Sequence, residues 1–324
     1  MDEQQSESPV QPDVVYYPPK FQKPQDTGNI WWRSILSLAL YLALGYYIFH
    51  SFTVLLIITA IVIFHELGHF AAMKIYRYKD LGIFFIPLLG AYVSGSKREV
   101  SQKESAVILL AGPLPGIIVG LLLFYFGGDG DIGGVSLSRV ALLLIILNLI
   151  NLLPVYPLDG GQLLHRVFLD EEGWLGKAFV FVSAAFLAWI AIKIPVYPLL
   201  IFPALMLVRL FSENKMEAVE KKIEAAGISL DISYEDLSDE NYWQIRKILI
   251  EEHAAFHDQP AGPPFQYSPK EEKLMTAIEG MLHRHLIQDM SLGGKLFVLL
   301  IWIAAIAAPW LLQMEMEVFR RLGF

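Results

Sequence analysis

The chain is 324 residues long, 55% hydrophobic and carries a formal net charge of −8; its mean hydropathy of +0.46 is far from that of an ordinary soluble domain. The acidic balance and the lack of a basic face argue against nucleic acid as a partner. With no cysteine in the chain, disulfides and thiolate metal sites are excluded.

Residues 1–28 are polar, rich in Pro, Gln and Asp, and lack the basic-then-apolar order of a signal peptide, so a disordered tail is expected. A first membrane span is expected over 32–49, opened by the interfacial pair Trp31-Trp32, and a second over 53–75. Residues 81–95 are apolar but too short and too broken by Gly and Pro to cross a bilayer, and read as a hairpin or re-entrant piece. Further spans are expected over 105–126 and 137–153, with two more inside 176–210 divided at Ile194-Pro195. Residues 212–291 turn charged and helix-forming, with a Pro-rich loop at 259–264, and 293–312 read as a final span.

The expected fold class is therefore an all-α polytopic membrane protein of six to seven transmembrane helices, with a short membrane-associated β-hairpin and a small helical soluble segment. Its expected divisions are a tail (1–28), a transmembrane core (29–211), a soluble helical segment (212–291) and a C-terminal transmembrane helix with tail (292–324). Lys74, Arg77, Lys79, Lys97, Arg98 and Lys103 make the loop after the second span basic, whereas 127–138 hold Asp129 and Asp131 and no base until Arg139. The positive-inside rule puts the basic loop in the cytoplasm. The expected location is the cell membrane, of the bacterial inner or plasma-membrane kind.

The second span contains Phe64-His65-Glu66-Leu67-Gly68-His69-Phe70. On a helix His65 and His69 project from one face. Their spacing suits two imidazole ligands of one zinc ion, with Glu66 placed as general base toward a metal-activated water. Ionisable groups at membrane depth are costly without partners, which favours metal binding over an idle polar cluster. A catalytic zinc wants a third protein ligand. Asp159, between Pro157 and Gly160-Gly161, can supply it, although an aspartate there can also cap a helix starting at Gly160. Asn148 and Asn151 lie three residues apart; each can bond a substrate backbone or act as interhelical glue. His253 and His257, and His283 and His285, read as surface groups rather than a second metal site, and His165 as a packing residue.

The pairing of His65-Glu66-Leu67-Gly68-His69 in an early transmembrane helix with Asn151-Leu-Leu-Pro-Val-Tyr-Pro-Leu-Asp159-Gly-Gly161 resembles the site-2 protease (M50) family of intramembrane zinc metalloproteases. The resemblance covers about residues 53–168. It implies one Zn2+ per chain held by His65, His69 and Asp159, Glu66 as catalytic base, and hydrolysis of peptide bonds in or near transmembrane segments of membrane-protein substrates. Residues 84–95 resemble the family's hairpin beside the active site, where Tyr92 is expected to meet an extended substrate. Ala111-Gly-Pro-Leu-Pro-Gly116 resembles the family's AGP-x-x-N segment, with Gly116 where Asn is usual. The alternatives are a homologue that binds membrane helices without cutting them, and a membrane metal transporter. The expected partners are a transmembrane substrate and the lipid bilayer; the oligomeric state is left open.

Overall fold

The computed structural model describes residues 16–22, 30–49, 51–86, 90–97, 100–169, 173–195, 197–282 and 286–311. In chain order the elements are α1 (Ile30–Phe49), α2 (Phe52–Ile75), β1 (Lys79–Ile86), β2 (Gly90–Ser96), β3 (Val100–Ser101), α3 (Gln102–Ala111), α4 (Pro113–Phe126), β4 (Asp131–Ile132), β5 (Val135–Ser136), α5 (Leu137–Asn151), α6 (Asp159–Leu163), α7 (Trp174–Lys193), α8 (Ile201–Ala225), α9 (Asp239–Glu252), α10 (Glu271–Met281), β6 (Leu286–Ile287) and α11 (Leu292–Leu311). They divide into two units, one within Met1–Gln25 and Ser212–His283, the other within Asp26–Phe211 and Arg284–Phe324.

Among the described residues, four helical stretches are long and apolar enough to cross a membrane: Phe52–Ile75, Gln102–Phe126, Trp174–Lys193 and Leu292–Leu311. The stretch Gln102–Phe126 is two helices, because Gly112 and Pro113 interrupt it and Pro113 starts α4 at a position where its missing N–H costs nothing. These four do not by themselves confirm the expected six to seven spans. Helix α5 is apolar but only 15 residues long, α1 carries Arg33, Ser34 and Ser37, and α8 becomes charged beyond Phe211.

The starts of the membrane unit's helices follow from hydroxyl caps. Ser51, Ser101 and Ser136 accept from the backbone N–H groups of Val54, Glu104 and Arg139, each satisfying one of the orphan donors of a helix start. Gly68 lets α2 approach the end of α3, since a Cβ there would lie 2.0 Å from the Ala111 carbonyl oxygen. The strands β1 and β2 form the expected hairpin, with Phe84 opposite Tyr92 and Ile83 opposite Val93. Its β1 strand lies against α1, where the Ser37 hydroxyl accepts from Phe85 N–H at 3.1 Å. Among the described residues β2 pairs with β1 alone, so its other edge is open.

The helical unit has its own core, in which Val219 and Ile223 of α8, Tyr242, Trp243, Ile245 and Leu249 of α9, and Leu274 and Ile278 of α10 are buried together. Within this core Arg246 bonds Glu271 twice, at 2.8 and 3.0 Å, and Tyr242 donates to the same carboxylate at 2.5 Å. Disorder expected across 1–28 does not hold at 16–22. Those residues adopt neither helix nor strand but lie on this unit, held by side-chain bonds to their carbonyls. The rest of 1–28 lies outside the described residues.

Burial would by itself raise the Glu271 carboxyl; the bonds from Arg246 and Tyr242 outweigh it and hold the group below its ordinary 4.5. A depressed carboxyl stabilises the fold fully above its unfolded value and loses that contribution as pH falls through the folded one. Two outcomes are expected from denaturant unfolding followed by tryptophan fluorescence. The helical unit weakens progressively as pH falls below 4.5. Arg246→Met, which strands a buried carboxylate, costs about 3–5 kcal/mol at neutral pH, and acidification costs this variant less than the parent.

Candidate metal centre

Helix α2 presents His65, Glu66 and His69 on its buried side, at 6%, 6% and 8% exposure. Asp159, the first residue of α6, meets them. The capping reading of Asp159 does not hold. The cap position is Leu158, with no side-chain cap bond, and the carboxylate points at the histidines, its Oδ2 lying 3.1 Å from His65 Nε2 and 3.3 Å from His69 Nε2. The two Nε2 atoms are 3.0 Å apart.

The protons on the two rings follow from what stands behind them. The Asn148 amide donates from Nδ2 to the Leu144 carbonyl at 2.7 Å, which turns its Oδ1 toward His65. His65 Nδ1–H therefore donates to Asn148 Oδ1 at 2.7 Å. His69 Nδ1–H donates to the Ile108 carbonyl at 2.8 Å. A neutral imidazole whose Nδ1 holds the proton offers a bare lone pair at Nε2. Two such lone pairs and a carboxylate oxygen then face one point. That oxygen, Oδ2, is buried and has no hydrogen-bond partner. Three acceptors so placed repel one another unless a cation lies between them.

The three residues fit a metal ion on chemistry and on size. Ligand atoms at about 2.0–2.1 Å from a tetrahedral zinc lie about 3.3 Å from each other, close to the separations observed. His65, His69 and Asp159 are also the group that can hold a metal among the described residues. The Nδ1 partners Asn148 and Ile108 fix tautomer and ring orientation, as the outer partners of metal-bound histidines generally do.

Beside the three lies a cavity of about 780 Å3, lined by Glu66, Tyr92, Val93, Asn151, Gln162 and Arg209 among others. The Phe85 N–H is taken by Ser37, so the facing pair Phe85–Ala91, and with it the pair Ile83–Val93 two residues along, is not hydrogen-bonded across the strands. The Val93 N–H thus points away from β1. Alternation along the strand turns the Tyr92 N–H toward β1. Tyr92 therefore offers the cavity its ring, stacked on Phe84 at 5.6 Å, and not its backbone donor. The open edge of β2 is carried by Ala91, Val93 and Gly95. Pro87, beside this hairpin, lies outside the described residues.

The expectation for Asn148 as a substrate contact is corrected. It is 1% exposed, absent from the cavity lining and committed to His65, whereas Asn151 does line the cavity and donates to the Leu147 carbonyl at 3.2 Å. Its role behind His65 depends on a helix far along the chain and leaves no local motif. A hint was available at Gly116. A Cβ there would lie 2.2 Å from Asn148 Nδ2, so the absence of a side chain makes the room that Asn148 fills. His165 packs between Tyr156 and Phe179. His253 ends α9, so it and His257 do not share a helix face; His283 and His285 lie outside the described residues.

Paired histidines one helical turn apart and a convergent carboxylate form a group that could hold a metal ion, with a buried glutamate beside it. Residues 53–129 match the model described as Peptidase family M50. The match takes in His65, Glu66 and His69 and ends before Asp159. A zinc metalloprotease of Methanocaldococcus jannaschii is 32% identical over 117 residues, which cover 35% of this chain and 34% of that protein. Stage IV sporulation protein FB of Bacillus subtilis is 28% identical over 117 residues, 36% of this chain and 41% of that protein. The chain thus matches well under half the length of these relatives. The solved site-2 protease from Methanocaldococcus jannaschii aligns with a TM-score of 0.41 at 23% identity, over 56% of this chain and 87% of that one.

Asn148→Leu removes the acceptor behind His65 without removing a ligand. It is expected to lower Zn2+ affinity about 10–100-fold, as read by competition with a chromophoric chelator. Gly116→Asn, which pushes Asn148 from its place, is expected to do the same.

Proposed function

We propose that the protein is an intramembrane zinc metalloprotease, with one Zn2+ per chain, that hydrolyses peptide bonds in or near transmembrane segments of membrane proteins. The observation that carries this reading is the convergence of His65 Nε2, His69 Nε2 and Asp159 Oδ2 beside Glu66 on a helix apolar enough to lie in a bilayer. Zinc, when held, supplies a Lewis acid that makes water more acidic and a carbonyl more electrophilic. Glu66 Oε takes the proton from the attacking water and delivers it to the leaving amine nitrogen. Glu66 and Val93 both line the cavity, which sets the open β2 edge beside the carboxylate.

A peptide in a helix hides its carbonyls in its own hydrogen bonds, so the scissile segment has to unwind. The open edge of β2 supports capture of the unwound segment as an added strand, with Tyr92 and Asn151 lining its path. In this reading the first part of α8, α1 and α5 join the four longer helices in the membrane, giving seven spans, the upper end of the expected six to seven. Residues 29–211 and 292–324 form the membrane part and 212–291 a soluble one. The basic loop around Lys74 and Arg77 faces the cytoplasm, and the catalytic centre opens nearer that side of the plasma membrane.

Glu66→Gln keeps all three proposed ligands and removes the proton acceptor. Zinc content by atomic emission should stay near one per chain while cleavage of a membrane-embedded model helix falls by about 10²–10⁴-fold or more. Loss of zinc in this variant would overturn the assignment of Glu66. Asp159→Ala should lose both zinc and cleavage; an Asp159→Ala protein of full activity would take Asp159 out of the site.

The entry step has its own test. Replacing a residue near the scissile bond of that model helix by Gly or Pro should speed cleavage. Ala91→Pro, which removes a donor from the open β2 edge, should slow cleavage with zinc still bound. Equal rates for an unbroken and a Gly/Pro-broken substrate would show that unwinding does not limit the reaction.

A further inference from the structure

The helical unit carries, on its surface, a built peptide ligand. Residues Tyr16-Tyr-Pro-Pro-Lys-Phe-Gln22 lie across α9 and the loops on either side of it without forming helix or strand. Their main chain is read one residue after another by side chains from more than 200 positions away. Trp243 Nε1–H donates to the Pro18 carbonyl at 2.7 Å, the Tyr267 hydroxyl to Pro19 at 2.5 Å and the Tyr234 hydroxyl to Phe21 at 2.5 Å. Asp239 Oδ1 accepts from the Lys20 N–H at 2.8 Å.

The side chains of the segment are read as well. Tyr17 stacks on Phe265 at 5.1 Å and Phe21 meets the Tyr267 ring edge-on at 5.6 Å. Lys20 Nζ donates to the Glu235 and Leu237 carbonyls, each at 2.6 Å, and lies 5.6 Å from the centre of the Tyr234 ring.

This is the chemistry by which aromatic-lined grooves take proline-rich ligands. Consecutive prolines have no N–H to satisfy, are already extended, and present bare carbonyls for Trp and Tyr donors. The segment also behaves as a ligand and not as a core strand. No residue from Tyr16 to Gln22 is fully buried, and Tyr17 and Phe21 pack against the core without belonging to its buried set. The groove itself rests on that core, with Trp243 and Tyr242 at 1% and 0% exposure.

We propose that the helical unit is a recognition module for an extended segment of aromatic-Pro-Pro-Lys-aromatic chemistry. Residues 16–22 fill it in cis, and a partner protein carrying such a segment displaces them. The tethered copy competes at an effective concentration on the order of millimolar, so the cis segment sets a threshold that a partner must exceed.

The absence of cysteine makes a direct test clean. Tyr16→Cys, at a side chain 78% exposed, gives the full chain a single labelling site for a fluorophore whose anisotropy reports the segment's mobility. Titrating the synthetic peptide of residues 16–22, prolines intact, should lower the anisotropy saturably. A peptide carrying Pro18→Ala and Pro19→Ala should need about fivefold more or higher, because it must be ordered on binding. The chain lacking residues 1–22 should bind the peptide about tenfold or more tightly than the intact chain, since nothing tethered competes.

An anisotropy unmoved by the peptide overturns the proposal, as does a response equal to that of a scrambled peptide. If the truncated chain misfolds, the labelled full chain still decides. A label released by raising the protein's own concentration, with no peptide added, assigns the groove to a second copy of the chain and overturns the partner reading.

Discussion

Three acceptor atoms with no proton among them, packed against one another inside a group of apolar helices, are the constraint on which the membrane unit depends. His65 Nε2, His69 Nε2 and Asp159 Oδ2 lie within 3.3 Å of each other. In hydrocarbon surroundings such an arrangement is costly unless a cation sits among the acceptors. The surrounding fold serves to keep it in place. Gly68 lets α2 come close enough to α3 for the Ile108 carbonyl to reach His69. The stretch between α5 and α6 turns the Asp159 carboxylate inward, and Asn148, set in the gap left by Gly116, fixes the His65 ring. Glu66 stands beside the three and lines the cavity together with Tyr92 and Val93 of β2.

The helical unit solves a related problem differently. Its buried charge, Glu271, is matched from within the protein by Arg246 and Tyr242, so it needs no ion. The difference lies in the donor count. Arg246 and Tyr242 bring N–H and O–H groups to one carboxylate, while the membrane cluster brings acceptors only. The first arrangement supports structure and the second asks for a metal. On the surface of the same unit, aromatic donors read the carbonyls of residues 16–22, where a pair of prolines leaves them bare.

What was legible in the sequence was what a few neighbouring residues decide. His65 and His69 share a face because a helix repeats every 3.6 residues. Pro157 and the glycines after Asp159 announce a broken backbone, and the hairpin shows in the Gly-broken apolar run around Phe84 and Tyr92. What escaped depends on long-range packing. Asn148 looks the same in sequence as Asn151, three residues on; only the approach of α2 and the space at Gly116 separate a partner of His65 from a cavity-lining residue. Hydrophobic runs do not show where a helix ends or how evenly apolar it is: α5 is only 15 residues long, and α1 carries Arg33, Ser34 and Ser37 near its start. The polar composition of residues 1–28 concealed the one stretch, 16–22, whose partners lie over 200 positions away.

The central claim is a zinc ion held by two imidazoles and one carboxylate. X-ray absorption at the zinc edge of the purified protein tests it most directly, since it counts ligands by type without requiring a substrate. The account predicts one zinc per chain with light-atom ligands only, at about 2.0–2.1 Å, and the multiple scattering of two imidazole rings. A spectrum showing no bound zinc, or zinc with no imidazole scattering, would contradict it.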